Sequence, residues 1–189
     1  MRVIFGGNSD IAKALMGTKI TREMCDVSNY AEIVKVMLER NVSEVVNCAG
    51  VIQPARIKCS NIEVWENEIK INLISSYYIA KAASEVNAKM VFLGSTAGLR
   101  GKAGWSGYCA SKAGLISLVQ SLSQESYEAW CVNPSRTDTK MRNKLFPNED
   151  RNTLLKPSDI VRVIEDCFNG KYKSGSSITV LKNEIKIQE

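Results

Sequence analysis

Residues 94–112 read GSTAGLRGKAGWSGYCASK. Three side chains in this run can do chemistry: Ser95, then Tyr108 thirteen positions on, then Lys112 four beyond it. On a helix, positions i and i+4 share a face, so Tyr108 and Lys112 can meet. Their neighbours Cys109, Ala110, Ser111, Ala113 and Gly114 are small. Spacing alone fits a packed helix face with two polar groups as well as a working pair, so the surroundings must decide.

The run begins at the end of an apolar segment, KMVFLGS (89–95), and passes into a helical pattern over 108–128 that is followed by AWCVNP (129–134). The same alternation holds to both ends of the chain. RVIF (2–5) is a short strand before a glycine turn, and SDIAKAL starts a helix with Ser9 or Asp10 as N-cap. YAEIVKVMLER (30–40) has apolar residues at helical spacing, EVVNCAG (44–50) is a buried strand, and a helix covers about 62–86. The polar residues 138–156 read as a loop or lid. PSDIVRVIEDCF opens a helix on proline, and SSITVLK closes the chain as a strand. Alternating strands and helices predict an α/β chain, a doubly wound parallel sheet with helices on both faces, in one domain over 1–189. Ligands of such sheets sit at the carboxyl ends of the strands. That rule selects GGNSD, NCAG, GSTAG and NPSRTDT, which are all small and polar and contain glycine or proline.

Composition narrows the chemistry. The chain has 189 residues, 44% hydrophobic and 24% charged, with net charge +5. Its basic residues are dispersed with few aromatics among them, which argues against a nucleic-acid surface. There is no histidine, and the six cysteines form no C-x-x-C pair. That argues against the usual zinc sets, so no metal is expected, and it removes Ser-His-Asp and Cys-His nucleophiles. A proton donor must then be Tyr, Lys, Cys or a carboxylate. No secretory signal or membrane-length apolar span is apparent, so no membrane association is expected and a reducing cytoplasm is the expected location.

Upstream of the opening run, IKINLISSY places Asn72 on the preceding helix and NCAG ends the strand before it. Together these motifs resemble the short-chain dehydrogenase/reductase family, over nearly the whole chain. Its marks are an N-terminal glycine turn, an N-N-A-G-like motif, and an Asn, Ser, Tyr-x-x-x-Lys tetrad. Trp65 also stands where the family often has a tryptophan. The resemblance implies a Rossmann-like fold and an NAD(P)-dependent oxidoreductase interconverting a carbonyl and a secondary alcohol. Tyr108 would be the acid/base and Ser95 would hold the substrate oxygen. Lys112 would lower the tyrosine pKa and grip the nicotinamide ribose, and Asn72 would anchor a water linking Lys112 to solvent. Gly6, Asn8, Ser9, Asp10 and Ile11 match the phosphate turn. Asp26 matches the acidic residue beside the adenine, and Asn47, Ala49 and Gly50 the N-A-G wall. Pro134, Ser135, Thr137 and Thr139 match the loop over the carboxamide.

The chain departs from this pattern in length. Fifteen residues separate Asp10 from Asp26, where the family fits a helix, a strand and a second helix. KITREMCDVS is therefore expected to give an abbreviated second strand and to turn almost directly into the third. Arg22 in this stretch could accommodate an extra ribose phosphate, favouring NADP(H), with NAD(H) possible through the adjacent Glu23. The 138–156 region resembles reductase domains joined to pentitol-phosphate cytidylyltransferases, and suggests a sugar-phosphate substrate met by Arg142 and Lys144. Gln53 and Trp105 are further candidate pocket residues, whereas Arg100 reads as surface. A 3-oxoacyl carrier-protein ketoreductase is the competing enzyme, and a non-catalytic NAD(P)-binding regulator the alternative of another class. The family's helix-to-helix pairing implies a homo-oligomer, a dimer or tetramer.

Overall fold

A computed structural model describes residues 1–188. Six strands run parallel: β1 (Arg2–Phe5), β2 (Thr18–Ile20), β3 (Glu44–Asn47), β4 (Lys89–Leu93), β5 (Ala129–Pro134) and β6 (Ser177–Leu181). A seventh, β7 (Glu184–Gln188), returns antiparallel to β6, and the order across the sheet is β2-β1-β3-β4-β5-β6-β7. The chain steps outward from β1 to β2 and then crosses back to β3, so the topology reverses between β1 and β3. That reversal is where an open α/β sheet leaves a crevice.

The central strands are apolar on both faces because both faces are covered. Val3 and Phe5 point to one core and Ile4 to the other, the two-residue period of a strand. The first core lies under α2 (Tyr30–Glu39), α4 (Ser75–Ser84) and α5 (Ser106–Gln124), where Ile33, Met37, Ile79, Leu115 and Val119 meet Val45 and Phe92. The second lies under α1 (Asp10–Ala14) and α7 (Pro157–Phe168), where Ile160 and Ile164 meet Val46, Val91 and Trp130. Ser9 caps α1 by accepting from Ala12 N, and Pro157 opens α7 where its missing N–H costs nothing.

Four features differ from the sequence expectation. The helix over 62–86 is α3 (Ile62–Ile69), a π turn (Lys70–Ile74) and then α4. Ser75 and Ser76 donate back to the carbonyls of Ile71 and Asn72 at 2.6 and 3.0 Å, side-chain bonds that compete with the backbone ladder and bend helices. KITREMCDVS contains no third strand: β2 is the sheet edge, and the next strand is β3, beyond α2. The 138–156 region is not all loop, since Lys140–Leu145 forms a helix, α6, capped by Thr139. β7 follows SSITVLK because EIKIQ alternates polar and apolar residues; Ile185 packs on the second core, and the charged positions keep this edge from pairing further. Among the described residues no helix is long and apolar enough to cross a membrane.

Candidate active site

The carboxyl ends of β1, β3, β4 and β5 open into one cleft of about 870 Å³. Gly6 makes its tightest turn, with φ of 71°, and a Cβ there would lie 2.5 Å from Ala49 N. Only glycine lets the β1 and β3 turns approach so closely. Asn8, Ser9, Asp10 and Ile11 line the same end at the start of α1, beside Ala49 and Gly50. Pro134, Ser135, Thr137 and Thr139 form the facing wall. The residues therefore fit a dinucleotide: a glycine turn at a helix start, lined by Asn8 and Ser9, is where a pyrophosphate seats. Asp10 also reaches across the mouth, where its carboxylate accepts from Lys140 N at 2.7 Å and ties α6 to this end.

At the other end stand Ser95, Tyr108 and Lys112. The 3₁₀ turn Thr96–Gly98 that follows Ser95 lies directly on α5, because a Cβ on Gly98 would be 2.7 Å from the Lys112 carbonyl carbon. The Ser95 and Tyr108 side chains line this end together, and the Ser95 hydroxyl accepts from Ala97 N at 3.1 Å. Lys112 is 4% exposed and donates to the Leu93 carbonyl at 2.7 Å; burial pulls its pKa down to about 8. Burial pushes Tyr108 the opposite way, above the ordinary phenol value, and Ser95 offsets part of that. The lowering expected from Lys112 is not among the effects that set this direction: burial dominates, and Ser95 is the group that opposes it. The ammonium lies 5.7 Å from the ring centre and is directed at Leu93.

The model of the short chain dehydrogenase family matches residues 9–150. The chain belongs to this family. Among relatives, this short-chain dehydrogenase is 32% identical over 109 residues to the uncharacterized oxidoreductase YciK of Escherichia coli, covering 53% of this chain and 43% of that protein. It is 31% identical over 161 residues to the 3-oxoacyl-[acyl-carrier-protein] reductase FabG of Chlamydia muridarum, 78% of this chain and 64% of the relative. It is 28% identical over 128 residues to the bifunctional ribulose 5-phosphate reductase/CDP-ribitol pyrophosphorylase Bcs1 of Haemophilus influenzae, 62% of this chain and 26% of that one. The chain thus spans about half the length of the curated relatives that it matches. A solved Brucella melitensis short-chain dehydrogenase/reductase, named glucose/ribitol dehydrogenase, superposes with TM-score 0.85 at 23% identity, over 96% of this chain and 95% of that one.

Several candidate residues of the short-chain dehydrogenase stand behind the cleft wall. Asn72 lies in the π turn, fully buried, where it holds Val51 from both sides. Its Oδ1 accepts from Val51 N at 2.8 Å, while Nδ2 donates to Val51 O at 2.9 Å and to Ser111 Oγ at 3.1 Å. Asn47 donates to Ser76 Oγ and accepts from Ala49 N, both at 3.0 Å, so it shapes the N-C-A-G turn from beneath. Asp26 faces its own turn, accepting from Ser28 N at 2.9 Å, a bond that holds its carboxyl below the usual range. Gln53 and Lys144 do not line the cleft. Trp105 does, edge-on to Tyr108 at 5.8 Å. Arg142 lines it too, but it is engaged in a two-pronged pair with Glu149 at 2.6 and 2.7 Å.

Sequence reasoning overlooked two buried polar residues. Asn133 is wholly buried, accepts from Ser95 N at 3.1 Å and donates to Ser177 Oγ at 2.8 Å. Gly94 must lack a side chain because a Cβ would come within 1.9 Å of Asn133 Oδ1. The signal was an Asn in an otherwise apolar strand, AWCVNP. Glu68, one helical turn before Asn72, accepts from Gln53 N at 2.6 Å, and burial raises its pKa. A Cβ on Gly107 would lie 2.3 Å from its Oε2, which explains the glycine preceding Tyr108. Cys48 also lines the cleft, but burial pushes its thiol to about 12, so it is no nucleophile at neutral pH.

Proposed function

We propose that this short-chain dehydrogenase interconverts a carbonyl and a secondary alcohol with NAD(P)(H), Tyr108 acting as acid/base. The observation that carries this is Ser95 and Tyr108 lining one end of the cleft together, with Lys112 buried one turn along the Tyr108 helix. The bound nicotinamide would supply or accept hydride. Ser95 orients the substrate oxygen beside Tyr108, and the raised tyrosine pKa keeps the phenol loaded to donate its proton during reduction. Lys112, with a pKa of about 8, carries an exchangeable proton beside that phenol near neutrality. Asn72 acts as a positioning residue: both ends of its amide are occupied in fixing Val51 and Ser111.

NADP(H) is the favoured cofactor. Arg22 lines the cleft and makes no ion pair among the described residues, whereas Asp26, the carboxylate suited to a ribose hydroxyl, is turned into its own loop. We further propose a cytoplasmic homo-oligomer joined through the π turn and α4, where Ile74 and Tyr77 are 39% and 53% exposed. The deciding experiment follows NADPH absorbance with ketose phosphates and β-ketoacyl thioesters, with Tyr108→Phe as control. Turnover that falls by roughly 10²–10⁴ in the variant is expected. Equal turnover by the variant refutes the mechanism, and cofactor binding without any turnover favours a binding protein.

A further inference from the structure

A second pocket, of about 540 Å³, opens beside the catalytic end of the cleft. Thr96, Arg100, Ser135 and Arg136 line both cavities, so the two adjoin. Thr96 directly follows Ser95, and Ser135 directly follows Pro134. A molecule whose carbonyl lies at Ser95 and Tyr108 can therefore extend into the side pocket.

Three cations line this pocket, Arg100, Arg136 and Lys182, and no acidic residue does. They come from three adjacent strand ends, following β4, β5 and β6. Arg100 makes no ion pair among the described residues. Arg136 touches Glu149 at 3.3 Å, but that carboxylate already holds both prongs of Arg142. Lys182 donates to the Leu154 carbonyl, and an ammonium has two further N–H groups. Thr153 adds a hydroxyl-bearing side chain, and Leu99 and Leu181 supply an apolar floor.

We propose that the side pocket is an anion subsite in which Arg100, with Arg136 and Lys182, binds the phosphate or carboxylate of a small carbonyl substrate. The proposal rests on the oxidoreductase reading. It assigns substrate charge recognition to these residues rather than to Arg142, which Glu149 neutralises, or Lys144, which lies outside the cleft. Guanidinium recognises both anions through paired, charge-assisted hydrogen bonds, and an uncompensated cation in a concave site gives that contact its selectivity.

Matched substrates test it: dihydroxyacetone against its phosphate, and methyl acetoacetate against acetoacetate, with the neutral thioester acetoacetyl-N-acetylcysteamine as a third arm. The expected result is a kcat/KM preference for at least one anion over its neutral partner, which Arg100→Ala reduces roughly ten- to a hundred-fold. A second readout needs no turnover. Inorganic phosphate should raise the melting temperature of the NADP⁺-saturated protein above that in chloride of equal ionic strength, and Arg100→Ala should abolish the rise. Neutral partners equal to or better than both anions, a preference for the thioester, or a phosphate shift that persists in Arg100→Ala overturns the subsite. If no carbonyl is reduced by the parent protein, the oxidoreductase reading fails and the melting shift alone decides the subsite.

Discussion

Tyr108 and Asn133 show how differently two polar residues of one site present themselves. Tyr108 is legible from spacing, since Ser95, Asn72 and Lys112 stand around it at family intervals. Asn133 is not, because its partners Ser95 and Ser177 come from other strands. The raised Tyr108 pKa sets the sign of the pH dependence. Reduction draws on the protonated phenol, so its kcat/KM should stay flat through neutrality and fall only on the alkaline side; oxidation should rise with pH. Steady-state pH profiles in both directions check this, and a reductive profile falling below pH 7 would contradict it. Asn133→Ala leaves Ser95 N and Ser177 Oγ without their partner, each loss costing about 1–3 kcal/mol. Misplacing Ser95 should lower kcat more than it raises KM, by tenfold or so, while the pH profile keeps its shape because Tyr108 still carries the proton. A change confined to stability, with kcat intact, would remove the positioning role.

Among the elements, the π turn and α6 are, with β7, ones that the sequence left undrawn. Apolar periodicity marks 62–86 as one helix, but the π turn within it goes with Ser75 and Ser76 bonding back to the main chain and with Asn72 reaching Val51. α6 is short and polar, and its position depends on contacts from outside the segment: Asp10 accepting from Lys140 N, and Glu149 pairing with Arg142 and Arg136. Glu149→Ala should therefore loosen 138–156 without unfolding the sheet. Limited proteolysis should cleave the variant there several-fold faster than the parent, with little change in melting temperature; equal cleavage rates would show that the pair does not hold the lid. Loop and lid segments come from the low-stability end of a fold, so one partly buried ion pair has leverage there. The small residues after Tyr108 divide likewise. Gly114 admits Leu73, whose Cδ2 would lie 2.8 Å from an added Cβ, whereas Ala110 and Ala113 are exposed and meet no neighbour in the chain's own core.

Across the whole molecule, four of the six cysteines carry a consequence for stability. Burial raises the thiols of Cys25 to about 11 and of Cys48 and Cys131 to about 12, and raises Cys167 as well. An unfolded thiol ionises near 8.5, so above that pH the unfolded chain releases protons that the folded chain retains. Their contribution is complete below about pH 8.5 and is lost as the pH climbs through the folded values. Lys112, depressed to about 8, works in the opposite sense above that pH but is a single group. The urea midpoint should therefore fall steadily between pH 8.5 and 11. A midpoint that rises across that interval would mean the thiols are not shielded in solution.

Local order along the chain determined the fold class: alternating apolar strands and amphipathic helices, with glycine- or proline-bearing turns at the four strand ends that form the cleft. The same order, with histidine absent, singled out Tyr108, Lys112 and Ser95, because i,i+4 spacing and strand-end placement are properties of the chain itself. The partner of each charge was decided only in three dimensions. Arg142 and Arg100 are both arginines in polar stretches, yet Glu149 occupies the first and nothing among the described residues occupies the second. Burial raises the Tyr108 pKa, and Asn72 and Asn133 bracket the backbone of Val51 and Ser95. Pairing and desolvation depend on which strands and helices meet across the sheet, and no spacing within one segment records that.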